Sequence, residues 1–105
     1  MNPNATPSPS SLLKARIKVP QHVVYRSFPS ETVVLNLQTG KYHGLNPTAG
    51  RMLEALEGAD SVLDAAAVAA GDYEQPQAAT EQDMCDLCQA LLERGLIEIE
   101  GNGAV

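Results

Sequence analysis

Apolar and polar positions alternate along the first half of the chain and then switch to helical spacing, and this change of period divides the chain. Residues 22–28 are rich in β-branched and aromatic side chains and read as a first strand. Pro29-Ser30-Glu31 turns the chain. In residues 32–37, Val33, Leu35 and Leu37 face one way and Thr32, Val34 and Asn36 the other. Gln38-Thr39-Gly40 supplies a hairpin turn, with Gly40 free to take a positive φ, and residues 41–45 return as a third strand.

Helical spacing begins at once. Asn46 offers a side-chain oxygen to an early amide, and Pro47 sits at the first helical position, where its missing N–H costs nothing. Met52, Leu53 and Leu56 mark the buried side of this helix, and Gly58 stops it. A second, Ala-rich helix over residues 61–70 is capped by Asp60 or Ser61 and offers Val62, Leu63, Ala66 and Val68. Residues 71–79, which include Pro76, read as a loop. Thr80-Glu81-Gln82-Asp83 resembles a capping box and opens a third helix over residues 80–94. Its apolar stripe is Met84, Leu87, Cys88, Leu91 and Leu92. Gly95 ends it, and residues 96–100 alternate like a short terminal strand.

The pattern predicts an α+β, winged-helix-like domain: a three-stranded antiparallel meander followed by three helices and a short terminal strand. The domain spans residues 21–100. Residues 1–20 form a disordered or extended N-terminal arm, Pro- and Ser-rich at its start; Ile17 and Val19 alternate with Arg16 and Lys18 before Pro20, so residues 12–19 read as a short strand or an extended arm. Residues 101–105 are a flexible tail.

Composition narrows the function. A chain of 105 residues, 44% hydrophobic, without Trp and with one Phe, builds one modest core from Leu, Val, Ile and Ala. No apolar run approaches the roughly 20 residues of a membrane span, and the N-terminus lacks a signal-peptide pattern. Two cysteines without a secretion signal fit a reducing cytoplasm. The net charge of −6 is unevenly spread. Lys14, Arg16, Lys18, Arg26, Lys41 and Arg51 precede Glu54 beside a single acid, Glu31; the other twelve acids follow, with Arg94 alone among them. Duplex DNA carries a charge every ~1.7 Å of axis, so an acidic helical half disfavours nucleic acid as a partner.

Candidate chemistry is sparse. Cys85-x-x-Cys88 lies beyond the first helical turn and Cys88 belongs to the apolar stripe, so a structural role outweighs a redox one. A zinc site would have to recruit His22 and His43 from the strand half, in a spacing that matches no standard finger. His43 lacks a nucleophile and an orienting acid, and no Gly-Lys-Ser/Thr follows Gly40 or Gly44. Glu81, Asp83 and Asp86 suit the start of a helix. Arg26, Lys41 and Arg51 mainly keep strand edges soluble, or greet an acidic peptide. No catalytic residue, metal ligand or cofactor is assigned.

Thr39-Gly40-x-Tyr42-x-x-Leu45-Asn46, Leu53-x-x-Leu56-x-Gly58 and Leu91-Leu92-x-x-Gly95-Leu96-Ile97 occur in that order. Together they resemble the family of the pyrroloquinoline quinone biosynthesis protein D, the recognition elements for precursors of ribosomally made, modified peptides. The strand carries His43 where many relatives place an aromatic residue.

The resemblance implies a non-catalytic, cytoplasmic adaptor, acting as a monomer or weak dimer. It would bind the leader of a precursor peptide as an added strand and present it to a radical-SAM enzyme, a cyclase or a leader peptidase. The residues expected to touch that peptide are Lys41, Tyr42, His43, Gly44 and Leu45 on the strand, with Met84, Leu87, Cys88 and Leu91 on the last helix. The rival readings are a winged-helix DNA-binding regulator and a small redox or metal protein using Cys85 and Cys88.

Overall fold

A computed structural model describes residues 9–100. The sequence expectations for residues 1–8 and for the tail at 101–105 lie outside the described residues. In chain order the elements are α1 (Pro9–Leu13), β1 (Arg16–Lys18), β2 (Val23–Ser27), β3 (Thr32–Asn36), β4 (Tyr42–Leu45), α2 (Pro47–Gly58), α3 (Val62–Tyr73), α4 (Gln77–Glu93) and β5 (Glu98–Glu100). β2, β3 and β4 form the expected antiparallel meander with β3 in the middle. The class is α+β. The terminal strand joins none of these three: β5 pairs antiparallel with β1, Ile17 opposite Ile99.

The turn between β3 and β4 follows from Asn36. Its side-chain oxygen accepts from the amides of Gln38 (2.9 Å) and Thr39 (3.3 Å), while Gly40 takes a φ of 75°. Asn36 faces both Gly40, whose amide donates to its carbonyl, and Lys41, whose carbonyl accepts from its amide. This is a bulge that needs glycine in the left-handed region. α2 then begins as its sequence dictates, with the Asn46 side chain accepting from the Ala49 amide at 2.8 Å and Pro47 behind the cap.

α2 lies on the meander. Thr32, Val34 and Asn36 are the buried members of β3, so the more apolar set, Val33, Leu35 and Leu37, looks outward. The inversion has two causes: Asn36 is spent on the turn, and Thr32 bonds Ser27 through their hydroxyls at 3.0 Å beneath Gly50. At the far end of α2, the Tyr25 hydroxyl donates to Glu57 at 2.5 Å and ties β2 to the helix.

The helices run longer than their caps suggest. α3 continues to Tyr73, so the expected loop over residues 71–79 shrinks to residues 74–76, with Glu74 at a positive φ of 53°. α4 starts at Gln77, and the expected capping box at Thr80 does not form. Thr80 is instead buried within the helix, where its hydroxyl accepts from the Gln75 side chain at 2.6 Å; the same amide reaches Asp83 at 3.4 Å. Gln75 thus uses the oxygens assigned to the cap. The end of α4 is as expected: Gly95 has a φ of 70°, and the Leu96 and Gly95 amides return to the Leu91 and Leu92 carbonyls.

The segment before residue 20 is not an arm beside the domain from Leu12 onward. Leu12, Ile17 and Pro20 are buried, and α1 packs on α4 and α3. The Val62 amide donates to the Ala15 carbonyl at 2.9 Å, and Arg16 pairs on the surface with Asp60 and Glu100. Leu12→Ala is expected to destabilise the domain by about 3 kcal/mol, since it opens a cavity in a closed core. A urea melt reads this directly, and a loss under about 1 kcal/mol, the range typical of surface changes, would return the segment to the status of an arm.

Candidate functional site

β4 is an edge strand, and the register shows which of its main-chain groups are open. β3 and β4 pair with Thr32 opposite Leu45, Val33 opposite Gly44, Val34 opposite His43 and Leu35 opposite Tyr42. The Asn36 amide donates to the Lys41 carbonyl at 2.9 Å, which fixes the alternation. His43 and Leu45 therefore spend their amides and carbonyls on β3, as Lys41 does its carbonyl, while the Lys41 amide donates to the Thr39 hydroxyl at 3.1 Å. Those of Tyr42 and Gly44 point away from the sheet, and among the described strands none lies beside β4 on that side. The edge is a template of donors and acceptors.

Side chains alternate across the same edge. Tyr42, 72% exposed, and Gly44 lie on the outer face of the sheet; Leu45 is buried and His43 is half-buried on the side of the helices. The outer face is apolar over much of its area. Val24, Phe28, Leu37 and Tyr42 are exposed, and Val24, Tyr25, Arg26, Phe28, Val33 and Leu35 line an open hollow of about 480 Å³. The Arg26 guanidinium sits 5.8 Å from the centre of the Phe28 ring.

The helix residues expected beside the strand are placed differently. Met84, Cys88 and Leu91 are wholly enclosed in the core, together with Cys85, so they offer no open surface in this conformation. Leu87 is only partly buried. β4 packs mainly on β3 and α2, whereas α4 packs mainly on α3 and α1. The outward-facing apolar row on β2 and β3 was not among the expected site residues, although alternation placed Val33, Leu35 and Leu37 together.

The thiols are those of packing residues. Both cysteines are free and buried. Burial pushes the Cys88 thiol up to about 12, with Cys85 adding to the effect; burial, then Asp86 and Glu81, raise Cys85 as well. Folded Cys88 therefore keeps its proton where an unfolded thiol, with a pKa of about 8.5, loses it. Stability from this group is intact below that value and declines as pH climbs towards the folded one, because the unfolded state then binds fewer protons. Both thiols should resist an aromatic disulfide reagent at about pH 8 and react at once in denaturant, while thiolate-rate labelling of the folded chain would contradict this. Among the described residues no group of three His, Cys, Asp or Glu side chains is placed to hold a metal ion. None of the described helices is long and apolar enough to cross a membrane.

Comparison with known proteins puts this edge in context. Residues 31–97, from the start of β3 to the end of α4 and the Leu96-Ile97 pair beyond it, match the family model described as coenzyme PQQ synthesis protein D. The chain belongs to that family. Among solved structures, it is similar to one described as TbiB1 in complex with the TbiA(beta) leader peptide. The two share 28% identity over 81% of this chain and 99% of that one, with a TM-score of 0.71. A lasso peptide synthetase B1 complexed with the leader peptide is similar at 25% identity, covering 80% of this chain and 99% of that one, also at a TM-score of 0.71. No curated protein matches the chain. The family match begins after β2 and leaves α1, β1 and β2 outside it.

Proposed function

We propose that this chain is a non-catalytic adaptor that holds the leader of a ribosomally made precursor peptide and presents the precursor to a modifying enzyme. The observation that carries this reading is the likeness, over nearly their whole length, to two proteins solved with leader peptides bound. The leader adds to β4 as a fourth strand of the meander, bonded to the outward amides and carbonyls of Tyr42 and Gly44. Lys41, His43 and Leu45 hold β4 to β3 from the other side. On α4, Leu87 has apolar surface to give, while Met84, Cys88 and Leu91 fix the helix through the core.

The adaptor works in the cytoplasm, and its enzyme partner is a leader peptidase, a radical-SAM enzyme or a cyclase. An unfilled edge also permits weak self-pairing of two copies. The DNA-binding alternative has little support: α4 contains Glu81, Asp83, Asp86 and Glu93, and no lysine or arginine. Fluorescence anisotropy with a labelled synthetic leader, taken from the precursor gene beside this one, tests the choice against labelled duplex DNA. Saturable binding of the leader and none of the DNA is expected; the reverse would overturn the reading.

A further inference from the structure

The outer face of β4 carries a gap with a charge in it. A side chain built on Gly44 would place its first carbon 2.8 Å from a carboxylate oxygen of Glu31. Glu31 precedes β3 and stands two residues from Val33, the partner of Gly44, so its side chain projects on the same face and crosses to β4 through the space Gly44 leaves. Glu31 is exposed, and no described lysine or arginine pairs with it. It is also the single acidic residue before Glu54. An unpaired carboxylate therefore lies across the open edge of β4, in an otherwise basic half of the chain.

We propose that Glu31, through the opening at Gly44, selects a lysine or arginine in the bound leader. The inference rests on strand addition at β4. A residue directly opposite Gly44 in an added antiparallel strand shares its face, with the two first side-chain positions ~5 Å apart. A long basic side chain there meets the Glu31 carboxylate. Two residues later, the antiparallel leader stands opposite Tyr42, whose exposed ring suits an apolar or aromatic side chain. The preferred leader strand thus reads basic, any residue, apolar. Gly44 is required twice: its outward amide bonds the leader, and its missing side chain admits the carboxylate.

The test uses the full chain and a set of synthetic leaders from the neighbouring precursor gene, each position replaced in turn by lysine, alanine and glutamate. At one position the lysine peptide should bind about three- to tenfold tighter than the glutamate peptide, as expected of exposed charge pairs. Glu31→Lys should reverse that order at the same position, and Glu31→Gln should level it. The preference should fade at about 1 M salt, where the screening length is about 3 Å. If leaders bind but no position changes its preference between the wild type and the Glu31 variants, the selectivity claim is wrong and strand addition survives. If the unaltered leader does not bind the wild type at all, the proposed function falls, and this inference with it.

Discussion

Gly44→Pro is expected to abolish leader binding while the domain stays folded. Gly44 faces Val33 at a position where neither residue bonds the other, so its amide is not used in the β3–β4 ladder. Proline removes that outward donor at no cost to the sheet's own hydrogen bonds. Its ring meets the Glu31 carboxylate, the far end of a flexible, exposed side chain that can swing aside. Gly44→Ala is the matched control: it crowds the same space and keeps the amide. The alanine variant should bind within about tenfold of wild type, and the proline variant should lose at least one charge-independent hydrogen bond and its register. Calorimetric titration of both variants, beside their thermal melts, reads the difference. Proline binding as tightly as alanine would move the leader away from this edge.

Gly50→Ala is expected to destabilise the fold itself. An alanine methyl at residue 50 would overlap the Thr32 hydroxyl oxygen and lie 2.7 Å from its first side-chain carbon. Neither atom can yield, because Thr32 is buried in the central strand and bonded to Ser27. Relief requires α2 to lift from the sheet, and overpacking of that kind costs about 3 kcal/mol. A domain of this size should then melt more than about 10 °C lower. Thr32→Ala in the same chain should restore part of the loss, since it removes the nearer atom. Equal stability of Gly50→Ala and wild type would mean that α2 does not approach β3 as described.

The fold was legible where a local signal had no competitor. Asn46-Pro47 opened α2, Gly40 made its turn and Gly95 ended α4, because each conformation is set by the residue itself. The signals that failed did so through contacts distant in sequence. The Thr80 hydroxyl was claimed by Gln75, which left the capping box unformed and let α4 begin at Gln77. The apolar face of β3 turned outward because α2 docks through Gly50 onto Thr32, a contact that no periodicity encodes. Leu12 and Ile17 entered the core, and of the two readings the segment allowed, a short strand or an extended arm, residues 16–18 took the strand. For the site, alternation correctly separated the two faces of β3, but the stripe on α4 did not say which members remain at the surface. Burial assigned Met84, Cys88 and Leu91 to the core. Glu31 carried no signal of its own, since its position over Gly44 appears only once β3 and β4 are paired.

Amide hydrogen exchange, read by NMR with and without the leader, separates strand addition at β4 from any other mode of binding. In the free chain the amides of His43 and Leu45, bonded to β3, should exchange slowly, while those of Tyr42 and Gly44 exchange at nearly the rate of exposed backbone. Saturation with the leader should protect Tyr42 and Gly44 and leave the amides of Val23, Tyr25 and Ser27 on the opposite edge unchanged. Protection appearing on β2 instead, or no change at Tyr42 and Gly44 while the leader is bound, would contradict strand addition at β4.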